Sequence, residues 1–182
     1  MKIRKATGEE MLTLWGYSDI GGASPTARFF FGNLSSGNAE FWTMEDNGLL
    51  IGELYVFLDM EDRDFADGKD TAYLCAFRIK KEHRGQGLGS RLAEAVLANL
   101  KARGFRGATI GVDESEEQNI RLYQRLGFNR KVKDCFVDPC AMDENMKPVA
   151  VPCFWLLYKP LSRTAVECAD EGRREGAAEK PE

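Results

Sequence analysis

A glycine-rich run in the middle of the chain is the segment best suited to chemistry. Arg84-Gly85-Gln86-Gly87-Leu88-Gly89 follows a strand-like stretch and precedes a strongly amphipathic, helix-like stretch. Backbone N–H groups at such a turn, together with the helix dipole, converge on one point and favour an anion there. Glycines let the backbone approach a phosphate closely, and Arg84 adds a permanent positive charge. The run therefore predicts an anion-binding loop.

Two common phosphate-binding loops fit this run poorly. The dinucleotide fingerprint needs G-x-G-x-x-G, whereas the glycines here stand at positions 85, 87 and 89. A Walker loop ends in Gly-Lys-Ser/Thr, whereas this run continues Gly89-Ser90-Arg91 and lacks the lysine. A glycine-rich turn without any ligand is the structural alternative.

A second motif lies further along the chain, on a predicted helix. The segment Leu122-Tyr123-Gln124-Arg125-Leu126-Gly127-Phe128 has the spacing L-Y-x-x-x-G-F. The two motifs in this order resemble those of the GNAT superfamily of acetyltransferases, whose Arg/Gln-x-x-Gly-x-Gly/Ala loop contacts the pyrophosphate of acetyl-CoA. Arg84, Gly87 and Gly89 stand at those loop positions. The resemblance covers residues 1–161.

The resemblance implies a fold, a cosubstrate and a reaction. The fold is α/β of the α+β type, with a mixed, mostly antiparallel sheet of about six or seven strands, about four flanking helices, and splayed fourth and fifth strands. Acetyl-CoA is the implied cosubstrate, no metal is implied, and the pantetheine pairs with the backbone of the fourth strand. The cofactor-binding residues expected on this basis are Phe77, Arg78, Ile79, Arg84, Gly85, Gln86, Gly87, Leu88, Gly89, Ser90 and Asn119.

The implied reaction is direct acetyl transfer, within a ternary complex, to a primary amine of a small molecule, a peptide N-terminus or a lysine. A non-catalytic acyl-CoA-binding sensor or regulatory module is the alternative. The sequence does not indicate whether acyl groups other than acetyl are used.

Tyr123 is the predicted catalytic residue. Acyl transfer from a thioester needs a neutral amine, stabilisation of the charge that develops on the carbonyl oxygen, and a proton for the leaving thiolate. The family uses a tyrosine at this position as general acid, and a role in orienting the sulfur is equally compatible. Asn119 projects from nearly the same helix face, although many relatives place the contacting asparagine where this chain has Glu116. Packing on the sheet is the structural alternative for Tyr123.

The resemblance to the family does not identify the general base in this chain. Some branches carry a glutamate on strand four, where this chain has Thr71, and another branch carries one on strand five, where it has Gly111. Cys75 is interpreted as a core residue rather than as a covalent nucleophile. The remaining candidates are Glu53, Asp70, Tyr73 and Asp113, or a water molecule.

Hydrophobic periodicity predicts the elements that position these motifs. The Asn47-Gly48 pair predicts a hairpin, and Ser115 followed by Gln118 predicts a capping box at the start of the last helix. The predicted strands are residues 1–6, 40–44, 49–58, 71–80, 108–113, 128–137 and 149–159, with a polar connection at 138–148. The predicted helices are residues 9–15, 26–34, 88 to Gly104, and 115 to Gly127.

The composition is that of a globular protein and excludes other classes. With 182 residues, 43% hydrophobic and 30% charged, the chain fits one domain. A net charge of −4 argues against nucleic acid as a partner, and no apolar stretch approaches the roughly 20 residues that span a bilayer. Five cysteines without C-x-x-C spacing fit free thiols in the cytoplasm. A zinc site at Cys135, Cys140 and Cys153 matches no common spacing.

Two regions are expected along the chain. Residues 1–161 form the acetyltransferase domain, and residues 162–182 form a disordered tail, because Ala, Glu, Gly and Arg there bury too little apolar surface to offset the entropy of ordering. The oligomeric state is not indicated by the sequence, and a homodimer is compatible with it.

Overall fold

The computed structural model describes residues 1–161, so the predicted tail lies outside the described residues. The helices are α1 (Gly8–Leu14), α2 (Pro25–Ser36), α3 (Leu88–Ala102) and α4 (Glu117–Arg125), and a short 3₁₀ turn covers Lys81–His83. The strands are β1 (Lys2–Ala6), β2 (Ala39–Asp46), β3 (Leu49–Phe57), β4 (Thr71–Ile79), β5 (Gly107–Asp113), β6 (Arg130–Met142) and β7 (Pro148–Pro160).

The strands form one seven-stranded sheet in the order β1-β2-β3-β4-β5-β7-β6. Neighbours are antiparallel except β4 and β5, which are parallel. The predicted mixed, mostly antiparallel sheet with four helices is confirmed. The β4–β5 pairing runs only from Thr71↔Gly107 to Leu74↔Ile110. The remaining ends of these two strands, residues 75–79 and 111–113, therefore separate and leave a gap in the middle of the sheet.

A bulge in β4 sets which side chains face each side of this gap. Ala76 has a left-handed φ of 47°, and the pairing of β4 with β3 shifts register between Glu53 and Tyr55. A bulge of this kind re-aims the side chains that follow it. Beyond it, Phe77 and Ile79 pack with the residues of α3, whereas Cys75 and Ala76 pack on the opposite face.

Two apolar cores cover the two faces of the sheet. On one face α3 contributes Leu92, Val96 and Leu100, which are completely or almost completely buried at the spacing of an amphipathic helix. On the other face α1 and α2 pack through Met11 and Phe30 onto aromatic residues of β2 and β3. This second core matters for function because it borders the open side of β4.

The helix starts differ in part from the sequence prediction. Helix α1 has the capping box, in which Thr7 and Glu10 bond reciprocally, and α2 begins with Ser24 as N-cap and Pro25 directly after it. The capping box predicted for α4 is wrong. Its N-cap is Glu116, without a side-chain hydrogen bond, because the Ser115 hydroxyl donates instead to Asp113 Oδ1 at 2.6 Å.

The hairpins show one confirmed prediction and one error. Asn47 and Gly48 have φ of 49° and 80°, as the predicted β2–β3 turn requires. The polar connection predicted at 138–148 is largely strand, since β6 continues to Met142 and β7 begins at Pro148. Strand β6 is an edge strand with several register shifts, and proline is tolerated at edges and bulges. No helix within residues 1–161 is both long and apolar enough to cross a membrane.

Candidate functional site

The glycine loop joins β4 to α3 with the open geometry expected of an anion site. Gly85 and Gly87 have φ of 77° and 73°, and Gly87 is the N-cap of α3. No heavy atom lies within 4 Å of the position that a Cβ would take at either glycine. Arg84 Nε donates to the carbonyl oxygen of Ile79 at 2.8 Å, which holds its guanidinium at the loop. A ligand can therefore approach the backbone from solvent.

Gly89 serves packing rather than access. A Cβ there would lie 3.3 Å from Phe77 Cζ and 3.6 Å from Ile79 Cγ1. Leu88 is buried, and Gln86 is exposed at the tip of the loop. The first turn of α3 can thus sit directly against the end of β4.

Tyr123 lies at the inner end of the gap between β4 and β5. It is 6% exposed, and its ring stacks on Phe77 at 6.4 Å and meets Phe128 edge-on at 6.4 Å. Its hydroxyl has no hydrogen bond within residues 1–161, although no side-chain polar atom of this part of the chain is fully buried without a partner. The hydroxyl must therefore open into the adjacent cavity, and burial of the ring raises the pKa of Tyr123.

A cavity of about 540 Å³ lies beside the gap. It is bounded by both splayed strands, by α2 and by the β6–β7 hairpin, where Met142 N donates to Thr26 Oγ1 at 3.0 Å. A second cavity of about 640 Å³, beside β3, shares Trp15, Thr26 and Arg78 with the first. The two cavities adjoin at these shared residues on the α1–α2 face and are together called the groove here, and the inner end of the first is lined by Phe77, Val112 and Tyr123.

Asn119 is not among the residues that line this groove. Its Nδ2 donates to the carboxylate of Glu116, the residue that stands where many relatives have the contacting asparagine. Its contact with the cofactor stays a prediction.

Two base candidates, Asp113 and Tyr73, line the cavity at the gap, and Tyr73 is the more buried of the two. Its hydroxyl lies 3.1 Å from the position that a Cβ would take at Gly111, and it has no hydrogen bond among the described residues. A side chain at position 111 would be tightly packed against Tyr73 and against Phe154, whose Cε2 is also 3.1 Å from that position. Burial raises the pKa of Tyr73 well above its usual range, so the phenol stays protonated at neutral pH.

The carboxylate candidates are less well placed. Both carboxylate oxygens of Glu53 are engaged, because Oε1 pairs with Arg78 Nε at 3.0 Å and Oε2 accepts from Trp15 and Tyr55. Asp70 pairs with Arg106 at 3.7 Å and lines neither cavity. Asp113 lines the first cavity, but hydrogen bonds from the Ser115 hydroxyl and N–H lower its pKa, which weakens it as a base.

Sequence reasoning missed Asp138. It lines the same cavity from β6, and its Oδ1 accepts the N–H of Cys140 at 2.8 Å. The residue falls in the stretch predicted as a loop, and the register shifts of β6 leave no regular alternation that could have indicated it.

The cysteines of residues 1–161 are free thiols. Cys75 is only half-buried and lines the cavity, with its Sγ 3.9 Å from Cys140 Sγ. Within residues 1–161 no group of three His, Cys, Asp or Glu side chains is arranged to hold a metal ion. The three cysteines considered for zinc, Cys135, Cys140 and Cys153, accordingly form no such group.

Comparison with known proteins decides the family. The model of the Acetyltransferase (GNAT) family matches residues 10–128, from α1 through the Tyr123 motif. The chain belongs to the GNAT acetyltransferase family. Both motifs that carried the resemblance lie within the matched residues.

Curated GNAT relatives match the chain over a shorter stretch. Mycothiol acetyltransferase of Thermobispora bispora is 34% identical over 53% of this chain and 32% of the relative. N-alpha-acetyltransferase 30 of Schizosaccharomyces pombe is 36% identical over 47% of this chain and 54% of the relative. N-acetyltransferase 8 of Rattus norvegicus is 25% identical over 58% and 46%. The chain thus covers about a third to a half of these relatives' length.

Solved GNAT structures match the whole domain. The ribosomal-protein-S18-alanine N-acetyltransferase of Escherichia coli aligns with a TM-score of 0.63 at 17% identity, covering 90% of this chain and 96% of that one. A GNAT family acetyltransferase of Elizabethkingia anophelis, solved with acetyl-CoA bound, gives 0.57 at 19% identity over 87% and 97%. At these identities the comparison establishes the GNAT fold.

Proposed function

We propose that the chain is an acetyl-CoA-dependent N-acyltransferase that transfers acetyl directly to a primary amine within a ternary complex. The observation that carries the proposal is the continuity of three features. An open glycine loop, an unpaired strand edge and the free Tyr123 hydroxyl follow one another along the gap between β4 and β5. Membership of the GNAT family indicates acetyl-CoA as the cosubstrate.

The cofactor side is formed by backbone groups. The N–H groups from Gly85 to Ser90 would hold the pyrophosphate, because they begin a 15-residue helix whose dipole favours an anion. The backbone of Phe77, Arg78 and Ile79 would pair with the pantetheine, since within residues 1–161 the edge of β4 facing β5 has no strand partner after Leu74. Acetyl-CoA held by these groups would supply the acetyl thioester.

Tyr123 would act on the leaving thiolate. A protonated phenol that opens into the cavity can donate a hydrogen bond to the sulfur as negative charge develops there. The raised pKa keeps the proton on the phenol at neutral pH, so Tyr123 is available as a donor in every turnover.

The attacking amine must lose a proton on the other side of the same cavity. Tyr73 cannot act as a phenolate, because burial keeps it protonated, but its hydroxyl oxygen can accept a hydrogen bond from the amine or from a water molecule. Asp138 and Asp113 are the carboxylates that line this cavity. We infer that the proton leaves through water toward Asp138, because the lowered pKa of Asp113 makes it the weaker base, and that Tyr73 orients the nucleophile.

A matched pair of variants tests the cofactor side. In Gly87→Gln the side chain would occupy the space through which the pyrophosphate approaches. Gly104 lies just beyond the other end of α3, with φ of 89° and no heavy atom within 4 Å of a Cβ position. Gly104→Gln therefore imposes the same left-handed strain, worth about 1–2 kcal/mol, at a distance from the loop.

Calorimetry with CoA should separate the two variants. Loss of two charge-assisted hydrogen bonds corresponds to a rise in Kd of roughly 100-fold or more, so Gly87→Gln should bind far more weakly than Gly104→Gln. Equal affinities in two folded variants would overturn the assignment of the loop.

The transfer itself is tested by thiol release from acetyl-CoA with a panel of amino acids, peptides, polyamines and aminoglycosides. Release that depends on one acceptor class supports the enzyme. Tight binding of acetyl-CoA with no transfer to any amine would support the sensor alternative instead.

A further inference from the structure

The backbone of Arg78 faces the gap between β4 and β5, whereas its side chain lies on the α1–α2 face of the sheet. Its neighbours Phe77 and Ile79 pack toward α3, whereas the side chain of Arg78 lines both cavities of the groove on the α1–α2 face. The guanidinium is thus on the side where an acceptor would enter, although the adjacent backbone faces the gap for the cofactor.

The Arg78 guanidinium is held in place by residues of two other elements. Its Nε pairs with Glu53 Oε1 at 3.0 Å, and its Cζ lies 5.6 Å from the centre of the Trp15 ring. Glu53 is itself fixed, since its Oε2 accepts the Trp15 indole N–H at 2.9 Å and the Tyr55 hydroxyl at 3.0 Å. Only 10% of the Glu53 side chain is exposed, compared with 59% of Arg78. An arginine held through Nε loses little further freedom when it binds a ligand.

The two terminal nitrogens of Arg78 are free. Among residues 1–161 neither makes a hydrogen bond, and the ion pair of the guanidinium with Glu53 has Nε as its recorded contact. The planar pair of terminal N–H groups matches the two oxygens of a carboxylate. The structure thus presents an oriented and unused carboxylate-binding group at the junction of the two cavities.

The charges of the first cavity lie on separate elements. Asp138 on β6 and Asp113 at the end of β5 line this cavity, on strands other than that of Arg78. Aromatic side chains also line it, including Phe30, Tyr73 and Phe154. Glu53 already shares the charge of the guanidinium, so the terminal N–H groups offer an anion hydrogen bonds of fixed geometry, whereas the two carboxylates suit a cationic amine.

We propose that the acceptor is a primary amine that also carries a carboxylate, and that the terminal nitrogens of Arg78 bind this carboxylate. The amine then points toward Tyr73 and the inner end of the gap. Glu53 and Trp15 are positioning residues that hold the guanidinium. This inference rests on the proposed acyl transfer and names the acceptor class of that same site.

Matched acceptors test the inference. Phenylalanine, phenylalaninamide and phenethylamine share the aromatic group and the amine, but only phenylalanine carries the carboxylate. Because hydrogen bonds to charged groups are the strong ones, kcat/KM should favour phenylalanine over the amide by roughly 10- to 100-fold. A C-terminally amidated Phe-Glu dipeptide then distinguishes a free amino acid from a peptide with an acidic side chain as the source of the carboxylate.

Variants of the arginine complete the test. Arg78→Met should reduce the ratio of kcat/KM for acid over amide toward one, and Arg78→Lys should retain part of the ratio. Because both acceptors use the same cosubstrate, this ratio does not depend on any change in the Kd of acetyl-CoA. Arg63→Met is the control, because Arg63 is equally exposed at 63%, is ion-paired with Asp59, and lies outside both cavities. It should leave the ratio as in the wild type.

The outcomes separate this inference from the proposed function. Equal turnover of acid and amide, or a preference that survives in Arg78→Met, would overturn the carboxylate site while leaving acyl transfer intact. If no acceptor is acetylated, calorimetry of phenylalanine and its amide in the presence of CoA decides instead. Tighter binding of the acid that is lost in Arg78→Met supports the site even then, and equal binding overturns it.

Discussion

Replacement of Tyr123 by phenylalanine isolates one hydroxyl. Tyr123→Phe keeps the ring that stacks on Phe77 and meets Phe128. Since the hydroxyl has no hydrogen bond within the described residues, its loss removes no protein contact, and the free energy of unfolding should change by less than about 0.5 kcal/mol. Tyr55→Phe shows the contrast, because its hydroxyl donates to Glu53 Oε2 at 3.0 Å and its loss should cost about 1.5–3 kcal/mol.

The catalytic effect of Tyr123→Phe should be large. If the phenol donates to the leaving thiolate, kcat should fall by about 10²- to 10⁴-fold, or about 3–5 kcal/mol of transition-state stabilisation. The Kd of acetyl-CoA should hardly change, since the interaction forms chiefly in the transition state. Steady-state kinetics with a saturating acceptor, calorimetry and urea unfolding measure the three quantities. A fall in kcat below about threefold would refute the role of Tyr123 as donor.

Two further predictions concern stability. Leu92 is completely buried on α3, so Leu92→Ala should lower the free energy of unfolding by about 2–5 kcal/mol. Thermal unfolding measures this change, and a loss below about 1 kcal/mol would contradict the described core. Asp67 Oδ1 accepts three backbone N–H groups, from Lys69, Asp70 and Thr71, at 2.8–3.0 Å. Partial burial opposes ionisation, but these donors outweigh it and lower the pKa of Asp67. Its stabilising contribution is therefore complete above the unfolded pKa of about 3.9 and is lost as the pH falls below it. Asp67→Ala should lose about 1–3 kcal/mol near neutral pH, and its stability should approach that of the wild type in acid. A difference that stays constant with pH would contradict this reasoning.

Much of the fold could be predicted because its signals are local. The spacing of Leu88, Leu92, Val96 and Leu100 indicated α3, and the alternation of apolar residues indicated the strands. The Asn47-Gly48 turn depends on two adjacent residues that tolerate positive φ. The glycine loop could be recognised for the same reason, since its function depends on backbone freedom that few other residues provide.

The errors arose where a competing side-chain contact or a strand pairing outweighs the local preference of the chain. Ser115 could cap a helix, but the carboxylate of Asp113 competes for its hydroxyl. Proline residues in 138–148 read as a break, yet an edge strand that pairs with β7 can contain them. Asp138 was missed as a consequence. The orientation of Arg78 follows from the bulge at Ala76, and periodicity alone does not reveal such a bulge.

The short pairing of β4 with β5 divides the sheet into two halves. One half contains β1 to β4, the other contains β5 to β7, and four residue pairs join them. By comparison, seven pairs join β5 to β7 within the second half. A molecule bound in the gap would contact both halves where few residue pairs join them, and a ligand concentration of a hundred times Kd adds about 2.7 kcal/mol to the free energy of unfolding. We expect amide exchange to slow most at residues 77–79 and 111–113, so that exchange at these residues measures whether the gap is occupied.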